Sequence, residues 1–177
     1  MGKEITTLAG GCFWCTEAIF RKIKGITTVT SGYTGGKREN PSYEQVSTGA
    51  TGHAEAIQLE FDPSIISFEK ILSIFFDLHD PTTLNQQGAD VGTQYRSGIY
   101  YHSEEQKLLA QKVRKEKEES GKYKSSIVTE IKPFEVFYKA EDYHQNFFEN
   151  NPAHPYCSLV INPKIQKLIE LYNKDVL

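Results

Sequence analysis

From Glu55 to Phe61 the side chains alternate without a break, with Glu55, Ile57, Leu59 and Phe61 on one side of the chain and Ala56, Gln58 and Glu60 on the other. Period two marks a β-strand with one buried face. A few residues later the period changes. From Ser67 onward, Phe68, Ile71, Leu72, Phe75, Phe76 and Leu78 recur at the spacing that lines one side of a helix, which Asp80-Pro81 stops. A chain that switches period in this way must build a sheet and cover it.

The remaining segments extend the pattern. Glu4 to Ala9 reads as a strand ending at Gly10-Gly11, and a helix is expected to begin at or just after Cys12 and close at Gly25. Ile26 to Tyr33 is β-branched and runs into Thr34-Gly35-Gly36, as a strand entering a turn would. Gly98 to His102 predicts a short strand. Ser103 opens a helix, with Gln106 placed for a capping box and Gly121 placed to end it. Pro163 to Lys174 predicts an amphipathic helix with Ile165, Leu168, Ile169 and Tyr172 inward. Strands and helices alternate without a steady βαβ rhythm, so the expected class is α/β of the α+β kind, a mixed sheet covered by helices.

With 177 residues and no low-complexity linker or repeat, a single domain spanning 1–177 is expected. The formal charge of -3 offers no long-range attraction to a polyanion, which argues against a nucleic-acid partner. The first residues hold no apolar run, and no stretch approaches the ~20 apolar residues of a membrane helix. A cytoplasmic protein without membrane association is the expectation. Three cysteines cannot form a closed disulfide set, and in that compartment such thiols read as catalytic, metal-binding or incidental.

Four segments could carry chemistry. In Gly10-Gly11-Cys12-Phe13-Trp14-Cys15 a thiol opens a helix, where the positive end of the helix dipole favours the thiolate that a nucleophile or metal ligand requires. In Gly52-His53-Ala54-Glu55, period two puts the Glu55 carboxyl on the apolar side of its strand. Desolvation there raises its pKa and suits it to give a proton near neutral pH. Asn85 to Ser97 is polar, glycine-punctuated and without helical period, and it offers Asp90 as an acceptor and Tyr95 as a phenolic donor; Tyr33, beside its own glycine turn, is similar. In Asn151-Pro152-Ala153-His154-Pro155-Tyr156-Cys157, a thiol on a Pro-rich connection could swing toward another. Alternatively, Cys12, Cys15, His154 and Cys157 could together bind zinc. Cys12 and Cys15 alone could serve a general dithiol oxidoreductase.

Together these segments resemble the type A peptide methionine sulfoxide reductases. The resemblance rests on Gly-Cys-Phe-Trp at 11–14, Gly-Tyr-Thr-Gly-Gly at 32–36, Gly-His-Ala-Glu at 52–55, Asp90 to Ser97 and Ala140-Glu141-Asp142-Tyr143-His144-Gln145. It implies a ferredoxin-like core flanked by helices, with Cys12 as nucleophile and Glu55 as proton donor. Tyr33, Tyr95 and Asp90 would position the sulfoxide oxygen or a water, and Phe13 and Trp14 would enclose the substrate methyl. The implied reaction reduces methionine-S-sulfoxide, free or in peptides and proteins, to methionine and leaves Cys12 as a sulfenic acid. Cys157, on a mobile C-terminal segment around 150–163, would then form a disulfide for thioredoxin to reduce, with dithiothreitol as a substitute. Cys15 competes for that resolving role, standing where many members have Gly. No cofactor or metal is implied, and a monomer is expected.

Overall fold

The structure is a computed structural model and describes residues 2–177. A six-stranded sheet forms its centre. Strand β1 (Glu4–Gly10) leads into helix α1 (Phe13–Phe20), then β2 (Ile26–Thr34), the short helix α2 (Tyr43–Ser47), β3 (Ala54–Phe61) and helix α3 (Phe68–Asp77). A two-stranded hairpin, β4 (Gln86–Gln87) and β5 (Asp90–Val91), and a 3-10 turn at Thr93–Tyr95 precede β6 (Ser97–Tyr101) and the long helix α4 (Glu104–Glu119). The chain closes with β7 (Glu130–Pro133), β8 (Phe137–Lys139), the one-turn helix α5 (Phe147–Asn150), a π-helical turn at Cys157–Ile161 and helix α6 (Asn162–Tyr172).

The strand order is β7-β6-β1-β3-β2-β8, antiparallel throughout except for the parallel β6–β7 pair. Strands β1, β2, β3 and β6 with helices α1 and α3 make the split βαβ arrangement of a ferredoxin-like core, since β3 inserts between β1 and β2. The mixed sheet and its helical cover thus agree with the periodicities. Phe13, Phe20, Phe61, Phe75 and Phe76 are fully buried between sheet and helices. Each such side chain contributes about 1.5–3 kcal/mol by leaving water.

Some elements differ from expectation. Helix α1 stops at Phe20 rather than Gly25, because Ile23 forms a β-bridge with Val176 and the chain turns to meet it. Residues 85–97 are not irregular throughout but hold the β4–β5 hairpin and the 3-10 turn. Ser103 caps α4 by accepting from Gln106 N, but the Gln106 side chain accepts from His102 N and donates to the Ile5 carbonyl, tying α4 to β1 instead of closing a box. The complete capping box lies at Ser42 and Gln45, ahead of α2. In α6, Ile165 and Leu168 face inward as expected, whereas Ile169 is exposed.

Gly11, between β1 and α1, has φ +98°, a conformation costly for any residue with a Cβ. An added Cβ would also lie 2.6 Å from Gln87 Cγ and 2.8 Å from its Cβ. Gln87 cannot retreat freely, because its amide accepts from Asp80 N and donates to the Asp80 carbonyl. Gly11→Ala is therefore expected to cost about 1–3 kcal/mol of stability, measured by denaturant unfolding. An unchanged midpoint would show that this turn is not constrained as described.

Candidate active site

Sheet register places the acid beside the thiol. Leu8 of β1 pairs with Ile57 of the antiparallel β3, so two residues further along β1 the chain is level with Glu55, and Cys12 lies just beyond. Tyr33 of β2 is directly opposite Glu55, so their side chains share one face of the sheet. Cys12 is the N-cap of α1, and its own side chain caps nothing. Glu55 Oε1 instead accepts the Phe13 N–H at 3.1 Å, so the carboxyl closes the first turn of the helix that carries the thiol.

Glu55 is 1% exposed, and burial pushes its pKa up to about 8. The Phe13 N–H opposes that shift, and the charge of Asp90 adds to it. The acid therefore favours its protonated form near neutral pH, as the period-two argument expects. For Cys12 the favourable helix terminus is present but outweighed. Burial, then the charge of Glu55, raises its pKa well above the ordinary thiol value, against the Trp14 N–H and the Tyr156 hydroxyl, which favour the thiolate. Desolvation outweighs one helix terminus because the dipole is worth only about 0.3–2 kcal/mol. In the resting site thiol and acid both hold their protons.

Four phenols face this pair. Burial, reinforced by nearby negative charge, raises the pKa values of Tyr33, Tyr43, Tyr95 and Tyr156, so each remains a donor; Tyr43 reaches about 12. Glu55 acts on Tyr33, Tyr43 and Tyr95, and Cys12 on Tyr43, Tyr95 and Tyr156. Tyr33, fully buried, donates to Glu141 Oε1 at 2.8 Å, while Glu141 Oε2 accepts the Tyr43 N–H at 2.9 Å. Asp90, on the β5 edge of the hairpin, accepts from the Tyr156 hydroxyl at 2.9 Å. Of the three expected oxygen-positioning groups, Tyr33 and Asp90 are thus themselves anchored by partners.

Phe13 is fully buried, with its ring 5.7 Å from Tyr33 and 6.4 Å from Tyr43. Trp14, the residue of α1 left partly open, stacks on Phe147 at 3.6 Å and donates its indole N–H to His144 Nδ1 at 2.9 Å. Together these rings make an apolar wall beside Cys12.

Cys15 and Cys157 are both buried and unpaired. Burial raises both pKa values, and at Cys15 the Lys164 ammonium pulls the other way. Cys157 begins the π-helical turn inside the core, while the preceding Tyr156 is the residue that reaches Cys12. His154 packs its ring on Trp14 and Phe147. Among the described residues no three His, Cys, Asp or Glu side chains converge as metal ligands, so the four residues of the zinc alternative are not assembled.

Sequence reasoning assigned no role to Tyr43, Glu141, His144 or Tyr156. Glu141 and His144 lie in a quoted motif and Tyr156 precedes Cys157, so position alone could have drawn attention to them. Tyr43, in a five-residue helix far along the chain, carries no such signal.

The family model for peptide methionine sulfoxide reductase matches residues 4–176. A Saccharolobus solfataricus protein named peptide methionine sulfoxide reductase MsrA is 56% identical over 174 residues, covering 98% of this chain and 97% of that protein. Reduced Mxr1 from Saccharomyces cerevisiae superposes with TM-score 0.82 at 38% identity, over 88% of this chain and 89% of that one. Mxr1 in complex with Trx2 gives TM-score 0.59 at 29% identity, over 82% and 84%. Among the described residues no helix is long and apolar enough to cross a membrane.

Proposed function

This chain belongs to the peptide methionine sulfoxide reductase family, and from that premise we propose that Cys12 attacks the sulfoxide sulfur while Glu55 gives its proton to the oxygen. The chain is an oxidoreductase that reduces methionine sulfoxide. The observation that carries the mechanism is the buried Glu55 carboxyl, its pKa pushed up by burial, held on the first turn of the helix at Cys12. A sulfoxide sulfur is a weak electrophile until its oxygen is protonated or hydrogen-bonded. A proton donor and a thiol at one helix start therefore answer the same requirement.

The site's resting protonation fits this order of events. As the Cys12 sulfur bonds to the sulfoxide sulfur, the oxygen takes the Glu55 proton, and the thiol proton passes to the Glu55 carboxylate so formed. The hydroxyl then moves to Cys12, leaving a sulfenic acid and methionine: thiol plus sulfoxide become sulfenic acid plus thioether, with every atom accounted for. Tyr95, kept neutral, donates to the substrate oxygen; Tyr33, whose own proton is held by Glu141, positions that oxygen through a water it accepts from; and Asp90 holds Tyr156 beside the sulfur. Phe13 and Trp14 receive the methyl group, and the S epimer is the one accepted.

A thiol then displaces hydroxide from the sulfenic acid as water. We assign that role to Cys157, which requires the turn at Cys157–Ile161 to open and Tyr156 to leave Cys12. The lower TM-score against Mxr1 bound to Trx2 than against reduced Mxr1 supports a rearranged state for the later steps. A π-helical turn is a fitting place for it, being less regular than an α-helix. Cys15, one helical turn from Cys12, is the competing resolver. Thioredoxin is the reductant, as the Mxr1 complex with Trx2 supports, and dithiothreitol would replace it in vitro. The enzyme works as a cytoplasmic monomer in one catalytic domain, with residues 150–163 as the mobile part and no cofactor.

The test is one turnover without reductant, followed by mass mapping. One equivalent of methionine and a Cys12–Cys157 disulfide are expected. A Cys12–Cys15 bond would reassign the resolver, and no methionine at all would refute the reaction.

A further inference from the structure

A cleft of about 490 Å³ opens between the end of α3, the segment after α4 and the first turns of α6. Four lysines line it: Lys122, Lys124, Lys164 and Lys167. Lys122 is bound to Asp77 at 2.8 Å, whereas the other three have no ion-pair partner among the described residues. The acid on the wall, Asp80, has one carboxylate oxygen taken up by the Thr82 N–H and hydroxyl. Asp80 offsets one of these charges, yet three unpaired lysines outnumber it, so a chain of net charge -3 gathers a surplus of positive charge in one concavity.

The cleft adjoins the reacting centre. Gln87 forms part of its wall, and the same side chain lies against Gly11, the residue before Cys12. Lys164 stands in the cleft, and its ammonium also bears on Cys15, one turn along α1. A polypeptide with its oxidised methionine at Cys12 that runs past the Gly11–Gln87 contact enters this cleft.

We propose that the lysine-lined cleft binds acidic side chains flanking the oxidised methionine, making polypeptides with acidic surroundings the favoured substrate class. The inference rests on Cys12 being the reacting centre. Ammonium groups spread along a cleft suit carboxylates spaced along a backbone, because each lysine acts as a point charge with no fixed fork geometry. Charges of this kind at the rim of a site act mainly on encounter and partner choice, and they weaken as salt is added.

The test compares wild type with the Lys124→Glu/Lys167→Glu double variant, using dithiothreitol as reductant so that no protein reductant competes for the surface. Lys122 is spared because it holds Asp77, and Lys164 because it bears on Cys15. The substrates are N-acetyl methionine sulfoxide and peptides with methionine sulfoxide flanked by glutamates, by serines or by lysines. For wild type, kcat/KM should fall in the order glutamate, serine, lysine, and the spread should collapse as salt is raised. The double variant should lose about tenfold on the glutamate peptide and gain on the lysine peptide. Its turnover of the N-acetyl substrate should stay unchanged, which also reports an intact fold. Indifference of wild type to the flanks, or an equal change of the variant on all substrates, overturns the proposal. No wild-type turnover of any substrate would instead refute the sulfoxide-reducing reaction at Cys12 on which it rests.

Discussion

Glu55→Gln is expected to slow single-turnover reduction of methionine sulfoxide by about 10²–10⁴-fold, because it removes the proton donor and keeps the shape. Wild-type single-turnover rates should fall as pH rises past about 8, where Glu55 loses its proton, and the variant should lack that limb. A variant with wild-type rate, or a wild-type profile flat from pH 6 to 9, would remove Glu55 from the chemistry.

The same residue predicts an opposite effect on stability. Its folded pKa lies near 8 against about 4.5 for an ordinary glutamate, so between those values the native state keeps a proton that the unfolded state has released. Stability is then highest below about pH 4.5 as far as this group is concerned. It declines as pH rises through the window and stays low above pH 8. The full decline is on the order of 5 kcal/mol. Glutamine carries no charge at any pH, so Glu55→Gln should be more stable than wild type at pH 9, with the gap narrowing toward pH 5. Denaturant unfolding at the two pH values measures this. A gap that does not widen with pH would mean that Glu55 is not the buried neutral acid described. A variant that is more stable yet slower would show a site holding a costly group for its chemistry.

Cys12→Ser should lose activity by at least about a thousandfold, since a serine hydroxyl replaces the one group that can attack sulfur. Binding should survive, and the chain offers a direct readout: Trp14 is its single tryptophan and belongs to the wall beside Cys12. Substrate should therefore perturb the intrinsic fluorescence of the variant much as it does that of wild type. Turnover near the wild-type level in Cys12→Ser would move the nucleophile elsewhere. Lost turnover together with a lost fluorescence response would point to a collapsed pocket instead.

The chain's local order was largely legible because it is written in periods and punctuation. The alternation from Glu55 to Phe61 and the helical spacing from Phe68 produced the strand and helix they imply, and Ser67 and Ser103 cap helices where such residues are expected. The same alternation placed the Glu55 carboxyl on a buried face. What stayed hidden depends on long-range partners. The two-residue strands of the β4–β5 hairpin are too short to show a period, and α1 ends early because residues more than 150 positions away bridge to Ile23.

The sequence alone determined which groups could act: a thiol after a glycine pair at a helix start, an acid on an apolar strand face, and a glycine-punctuated loop bearing Asp90 and Tyr95. Only the tertiary structure decided the state in which they wait. A pKa depends on how much water and which charges surround a group, and that is set by packing rather than by neighbours in the chain. Burial therefore keeps Cys12 protonated against its helix terminus, and it brings in Tyr156, Tyr43 and Glu141, residues distant in sequence, to hold the donors and the sulfur in place.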